Sequence, residues 1–282
     1  MASKKDREHI RKLREEANAL RKAEEAKRRR TRMLTQIGVV AGALLVVAAI
    51  VVVAVMAPRW FGKQNVPEAS GVVSVPNSEG AQVEVPITID ESGVLVGAED
   101  APVTIDYYLD FSCGHCKNYH DAFGHEYKTL IGDGEAKVHF HFIRFVNEFG
   151  LRAGSAMAST VTHDPSAFFT VMDGIFAVDP SVQVNWNESD YATEMAKLGL
   201  ATPDVDEEIR DGHYHWWMRN STQAARDAGV PGTPSVMVDG ELLPTLPVDR
   251  ETLRGLVSGE IAPGDLATVA PEPGAPAPTE TE

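Results

Sequence analysis

Residues 103–117 read Val-Thr-Ile-Asp-Tyr-Tyr-Leu-Asp-Phe-Ser-Cys-Gly-His-Cys-Lys. Positions 103–111 are rich enough in β-branched and aromatic residues to predict a strand buried on both faces. Cys113 and Cys116 follow, with Gly114 and His115 between them, and 117–131 has helical character. Cys113 therefore opens a helix, where unpaired backbone amides and the helix dipole favour a thiolate over a thiol. Residues 137–146 read as the next strand. The whole stretch 103–146 is then a βαβ unit, which implies a parallel strand pair and a right-handed crossover. The chain has 2 cysteines and both lie here, so none is left for a structural disulfide. A Cys-x-x-Cys pair in this setting reads as redox chemistry.

Upstream, residues 1–33 carry 13 Lys/Arg and 6 Asp/Glu with opposite charges at helical spacing, the composition of a solvated charged tail. Residues 37–57 form an uncharged run of 21 residues, long enough as a helix to span about 30 Å of hydrocarbon. Arg28, Arg29, Arg30 and Arg32 precede it, and Trp60 and Phe61 follow. The positive-inside rule puts the tail in the cytoplasm and everything after Pro58 outside. The expected organisation is a cytoplasmic tail over 1–33, a transmembrane helix over 34–57 and a linker over 58–80. A cleaved signal peptide is the rival reading, but the preceding region is too long and the apolar run exceeds about 15 residues. Either reading exports the body.

The body is expected over 81–262. Residues 82–90 alternate as a strand, with Pro86 marking an edge or early position, and 97–102 form a turn into the central strand. Residues 148–228 are mostly helical in pattern, an insertion between two halves of a sheet. Residues 153–161 are small and suited to close helix packing; 204–228 read as one helix or two, closed by Gly229. Residues 235–238 and 241–243 are short strands around an Asp239-Gly240 turn. Asp249 caps a last helix, and 263–282 read as a disordered tail. Net charge is −15, and with the basic tail set aside the remainder holds 13 basic against 35 acidic residues. An acidic body of this kind excludes nucleic-acid binding, which needs a basic footprint.

Three motifs together resemble the DsbA-like thiol–disulfide oxidoreductases of the thioredoxin superfamily. They are Gly97-x-x-x-Ala-Pro-Val-Thr-Ile, Asp110-Phe-Ser-Cys-Gly-His-Cys, and Gly229-Val-Pro-Gly-Thr-Pro-Ser-Val. Thr233-Pro234 is similar to that family's cis-proline loop, and the helical block between the second and third motifs to its inserted subdomain. The resemblance covers about residues 90–258. It implies a thioredoxin-like α/β fold and disulfide formation in exported proteins. It also implies a membrane partner that reoxidises the pair, of the DsbB type or the quinone-linked epoxide-reductase type. Thr233 and Pro234 would bind substrate beside the cysteines. Many relatives carry a buried acid six positions before the first cysteine, where this chain has Tyr107, with Asp106 adjacent.

Cys113 is the expected nucleophile, the more exposed of the two, with Cys116 one turn on to resolve or re-form the bond. His115 can add a hydrogen bond or a positive charge to the Cys113 thiolate. Asp110 reads as a loop or capping acid, and Gly114 fills the pair without a side chain. No cofactor is expected, because two thiols carry the electrons. No metal is expected either: there is no second cysteine pair, and His139, His141, His213 and His215 read as surface or core residues. Trp216 and Trp217 read as core. A reductase or isomerase of the same fold and a membrane-tethered metal-binding or scaffold protein are the competing readings.

Overall fold

The computed structural model describes residues 21–22, 27–30, 32–52 and 64–268. The chain divides into two units, Met1–Gly62 and Lys63–Glu282. In the first, helix α1 (Lys27–Val52) is long and apolar enough to cross a membrane. Its Leu44, Leu45 and Val46 side chains are exposed, as a lipid-facing helix requires. It begins before the uncharged run and takes the arginines into its first turns. Most of the charged tail, residues 53–57 of the expected span, the first six linker residues and 269–282 lie outside the described residues.

The second unit is built on a seven-stranded sheet in the order β1-β2-β3-β5-β4-β6-β7. The strands are β1 (Ala69–Pro76), β2 (Gln82–Ile89), β3 (Val94–Val96), β4 (Val103–Leu109), β5 (Ala136–Phe142), β6 (Ser235–Val238) and β7 (Glu241–Leu242). β4 and β5 pair in parallel, and every other neighbouring pair is antiparallel. Helix α2 (Gly114–Gly132) makes the crossover between β4 and β5. Tyr119 and Tyr127 of α2 pack on Tyr107, the latter stacked with centroids 5.5 Å apart. That layer continues through Phe140 into Phe168 and Phe169.

Between β5 and β6 run α3 (Glu148–His163), α4 (Phe168–Ala177), α5 (Pro180–Gln183), α6 (Glu188–Lys197), α7 (Pro203–Arg210) and α8 (His215–Asp227); α9 (Arg250–Ser258) follows β7. Helix α3 is buried along most of its length, and its Gly154 admits Met218 of α8 where a Cβ would collide with the sulfur. The expected helix over 204–228 is two helices, broken at Gly212, whose φ of +61° no L side chain adopts cheaply. Trp217 is fully buried, and its indole N–H donates to Asp90 O and Glu91 O.

Three boundaries differ from the sequence expectations. The linker does not run to residue 80: Ala69–Pro76 is a strand that pairs with β2, and its Val73 and Val75 bury against the core while Val72 faces out. Pro86 is not on an edge strand, since β2 lies between β1 and β3. Its carbonyl accepts Gly97 N just where β3 has ended at Val96, so the missing N–H removes no ladder bond. The expected tail begins with an ordered 3-10 turn, Pro263–Thr268, anchored by buried Leu266.

Candidate active site

β4 delivers the chain into Asp110, Phe111 and Ser112, and Cys113 takes the N-cap position of α2 with extended backbone, φ −93° and ψ 116°. No side chain caps this end of the helix. The first-turn amides are therefore left for a ligand or a charge at the cap, which here is the Cys113 sulfur. Cys116 lies one turn on and is fully buried, while Cys113 is 5 % exposed. The first cysteine is thus the more accessible of the two but is itself largely covered. Its Sγ donates to Thr233 O at 3.3 Å, and the Thr233–Pro234 peptide is cis.

The two thiols are driven apart in acidity. The Cys116 thiol hydrogen-bonds the Cys113 sulfur and, with the Cys116 and His115 backbone N–H groups and the Thr233 side chain, brings Cys113 down to about 5 against the opposing cost of burial. Burial drives Cys116 strongly upward, and the neighbouring Cys113 reinforces this. Thr233 Oγ1 is buried beside both sulfurs and committed to no other described residue, so it is available to whichever carries the charge. His115 and Gly114 are exposed. The help His115 gives the thiolate comes from its backbone N–H rather than its imidazole.

Asp110 is fully buried and acts as a clamp. Oδ1 accepts from Ser112 N at 2.8 Å and Ser112 Oγ at 2.7 Å; Oδ2 accepts from Phe145 N at 2.8 Å and Val146 N at 2.9 Å. Its own N–H points at Cys116 Sγ, 3.4 Å away. One carboxyl group thus ties the cysteine loop to residues 145–146. Ser112 Oγ adds a second tie by accepting from Asn147 N at 2.9 Å. Gly150 sits directly behind, and a Cβ there would strike Asp110 Oδ1 and Ser112 Oγ. The residues missed from sequence are Ser112, Asn147 and Gly150; the Asp-x-Ser turn around 110–112 was the available local signal.

Tyr107, six positions before Cys113, is 1 % exposed, and its hydroxyl has no hydrogen-bond partner among the described residues. Burial and the nearby Cys116 sulfur hold that phenol well above its usual range. Beside the pair, Phe145, Val146, Arg226 and residues 230–233 line a groove of about 440 Å³. A second, of about 290 Å³, runs along residues 231–236 and 243–246 and includes the cis peptide. A larger cleft of about 850 Å³, at Val103, Glu135 and α9, contains none of these residues. His139 and His141 come together not with the cysteines but with Asp106. His213 and His215 lie elsewhere, His215 opposite Glu188 at 3.6 Å.

Disulfide bond formation protein D of Bacillus subtilis is 20 % identical over 170 residues, covering 59 % of this chain and 76 % of that protein. Among solved structures, oxidised BdbD from Bacillus subtilis superposes with a TM-score of 0.54 at 19 % identity, covering 67 % of this chain and 97 % of that one. MdbA, a thiol-disulfide oxidoreductase from Corynebacterium diphtheriae, gives a TM-score of 0.52 at 18 % identity over 68 % of this chain and 95 % of that one. A thioredoxin family model matches residues 90–258, more than half of the chain. The chain belongs to the thioredoxin family, and its fold is that of the thiol–disulfide oxidoreductases on which it superposes.

Proposed function

We propose that this chain introduces disulfides into exported proteins from a single-pass membrane anchor. The observation that carries the reading is the division between the two sulfurs: Cys113 Sγ sits at the uncapped N-terminus of α2 beside Thr233, a setting that lowers its pKa to about 5, while Cys116, one turn on, is fully buried as a thiol. A stabilised thiolate favours the reduced form of the pair and so makes its disulfide a strong oxidant. Arg28, Arg29, Arg30 and Arg32, in the first turns of α1 and ahead of its uncharged run, support a cytoplasmic N-terminus and an exported catalytic unit.

In the cycle, a substrate thiolate attacks Cys113 Sγ of the disulfide and Cys116 leaves, taking up a proton. The resulting mixed disulfide joins substrate to Cys113. A second substrate thiolate then attacks the substrate sulfur, and Cys113 departs as a thiolate. The substrate has lost two electrons and the enzyme has gained them. A low pKa makes Cys113 a good leaving group in this second step. The Thr233 carbonyl beside Cys113 gives an extended substrate peptide a backbone acceptor, and the two grooves along residues 145–146 and 243–246 take its side chains. A membrane reoxidant of the DsbB or epoxide-reductase type would return the dithiol to the disulfide.

The test is the reduction potential of the detergent-solubilised chain against glutathione, together with oxidative refolding of a reduced substrate. A potential of about −120 to −180 mV and activity that disappears in Cys113→Ala support the proposal. A potential near −270 mV would make the protein a reductase delivering electrons outward.

A further inference from the structure

Asp106 lies on the face of β4 opposite Tyr107 and therefore opposite α2. Parallel register sets it beside His139 of β5, and His141, two residues on, shares the same face. Asp106 Oδ1 is 2.8 Å from His141 Nε2 and 3.5 Å from His139 Nδ1. The three candidate ligand atoms all lie within 4.8 Å of one another. All three side chains are half-buried, at 14–20 % exposure.

The outer nitrogens of both rings are already assigned by their partners in the β2–β3 turn. His141 Nδ1 is 2.9 Å from Ser92 O, a carbonyl that only accepts, so Nδ1 carries the hydrogen. His139 Nε2 is 3.1 Å from Ser92 Oγ, and that hydroxyl donates its own hydrogen to Asp90 Oδ1. The hydroxyl can then only accept, so His139 Nε2 carries the hydrogen as well. In neutral imidazoles this leaves His141 Nε2 and His139 Nδ1 bare, and both bare nitrogens face one carboxylate oxygen. Lone pairs opposed at these distances require positive charge between them. A proton on one ring would serve only that ring's contact with Asp106, whereas one cation shared by both nitrogens and the carboxylate serves both.

We propose that Asp106, His139 and His141 bind one divalent first-row transition-metal ion, of which Zn²⁺ is the natural representative. Two ligand atoms each about 2.0–2.1 Å from a tetrahedral ion sit about 3.3 Å apart, and the observed 2.8 and 3.5 Å bracket that separation. Imidazoles that donate their far N–H to fixed acceptors are the usual outer shell of a metal-bound histidine. Gly93, at φ +148°, keeps the turn close: a Cβ there would fall 3.1 Å from His139 Nε2. The ion would fasten the 90–93 turn to β4 and β5 on the side of the sheet away from the thiols. Three protein ligands leave the fourth position to water.

The test uses the full chain in detergent, purified without a polyhistidine tag and with Cys113–Cys116 oxidised, so that no thiolate can bind metal. Competition for Zn²⁺ against a chromophoric chelator is expected to give one equivalent per chain. His139→Gln and His141→Gln should each weaken it by at least about tenfold. Zn²⁺ should also raise the melting temperature of the parent chain and not that of Asp106→Asn. Failure of the parent chain to take up one equivalent overturns the proposal, as does unchanged affinity in the variants. Should the variants not fold, Co²⁺ bound to the parent chain decides. A spectrum of tetrahedral nitrogen and oxygen ligation supports the site, and that of the hydrated ion rejects it.

Discussion

The Thr233 carbonyl lies 3.3 Å from Cys113 Sγ, across 120 positions of sequence. The cis-proline loop is therefore part of the thiol's environment and not only of the substrate groove. The Cys116 thiol leads, and with the Cys116 and His115 backbone N–H groups and the Thr233 side chain it lowers Cys113 from an ordinary 9.0 to about 5. The alkylation rate of reduced protein should stay flat near neutrality and fall with a midpoint near 5. Cys116→Ala should move that midpoint upward by at least one unit. An unmoved midpoint would assign the control to the helix amides and the Thr233 side chain.

The same shift makes the reduced protein's stability depend on pH. The folded pKa lies below the unfolded one, so its contribution is fully present above about 9 and is lost as pH falls through about 5. Urea midpoints of the reduced protein should decline across that window relative to the disulfide form, in which neither thiol titrates. Parallel declines in the two forms would show that other groups govern acid stability.

Asp110→Ala should be among the costliest single substitutions in the chain. It strands donors from Ser112, Phe145 and Val146 in a fully buried position. A loss of about 3–5 kcal/mol is expected in both redox states. Chemical denaturation of the disulfide form measures it, and a loss below about 1 kcal/mol would mean that water replaces the carboxyl group.

Gly150→Ala should destabilise even though alanine is favoured in a helix by about 1 kcal/mol. The added methyl has no space against Asp110 and Ser112. A net loss of about 1–3 kcal/mol with slower disulfide transfer is the expected pair of readouts. A stabilised variant would show that the clamp has slack.

Tyr107→Phe removes a buried hydroxyl without a partner among the described residues and keeps the stacking on Tyr127. Stability should hold or rise by up to about 1 kcal/mol. A fall of more than 1 kcal/mol in thermal or urea unfolding would reveal a hydrogen bond at that position.

The core of the fold was legible because its signals are local. Val103–Leu109, the Cys-x-x-Cys turn and α2 follow one another within thirty residues, and strand and helix periods are both strong there. β1 was hidden because only Val73 and Val75 of its eight residues bury, and glycine, serine and proline surround them. Pro86 misled because a strand position says nothing of where the neighbouring strand stops. At the site, Cys113, Cys116 and the Thr233–Pro234 loop are motif residues, whereas the two partners of Asp110 Oδ2 lie 35 and 36 positions away. The meeting of Asp106 with His139 is set by parallel register, which no local pattern encodes.

The chain's two cysteines are both at the site, so no disulfide elsewhere holds the catalytic unit together. Such a protein owes nothing to the reaction it catalyses. It can reach its native fold before any oxidant acts on it, and it needs one only to close its own Cys113–Cys116 pair. A mixed disulfide on Cys113 likewise meets a single internal rival, Cys116, so within the chain it has no wrong thiol to which it could be passed.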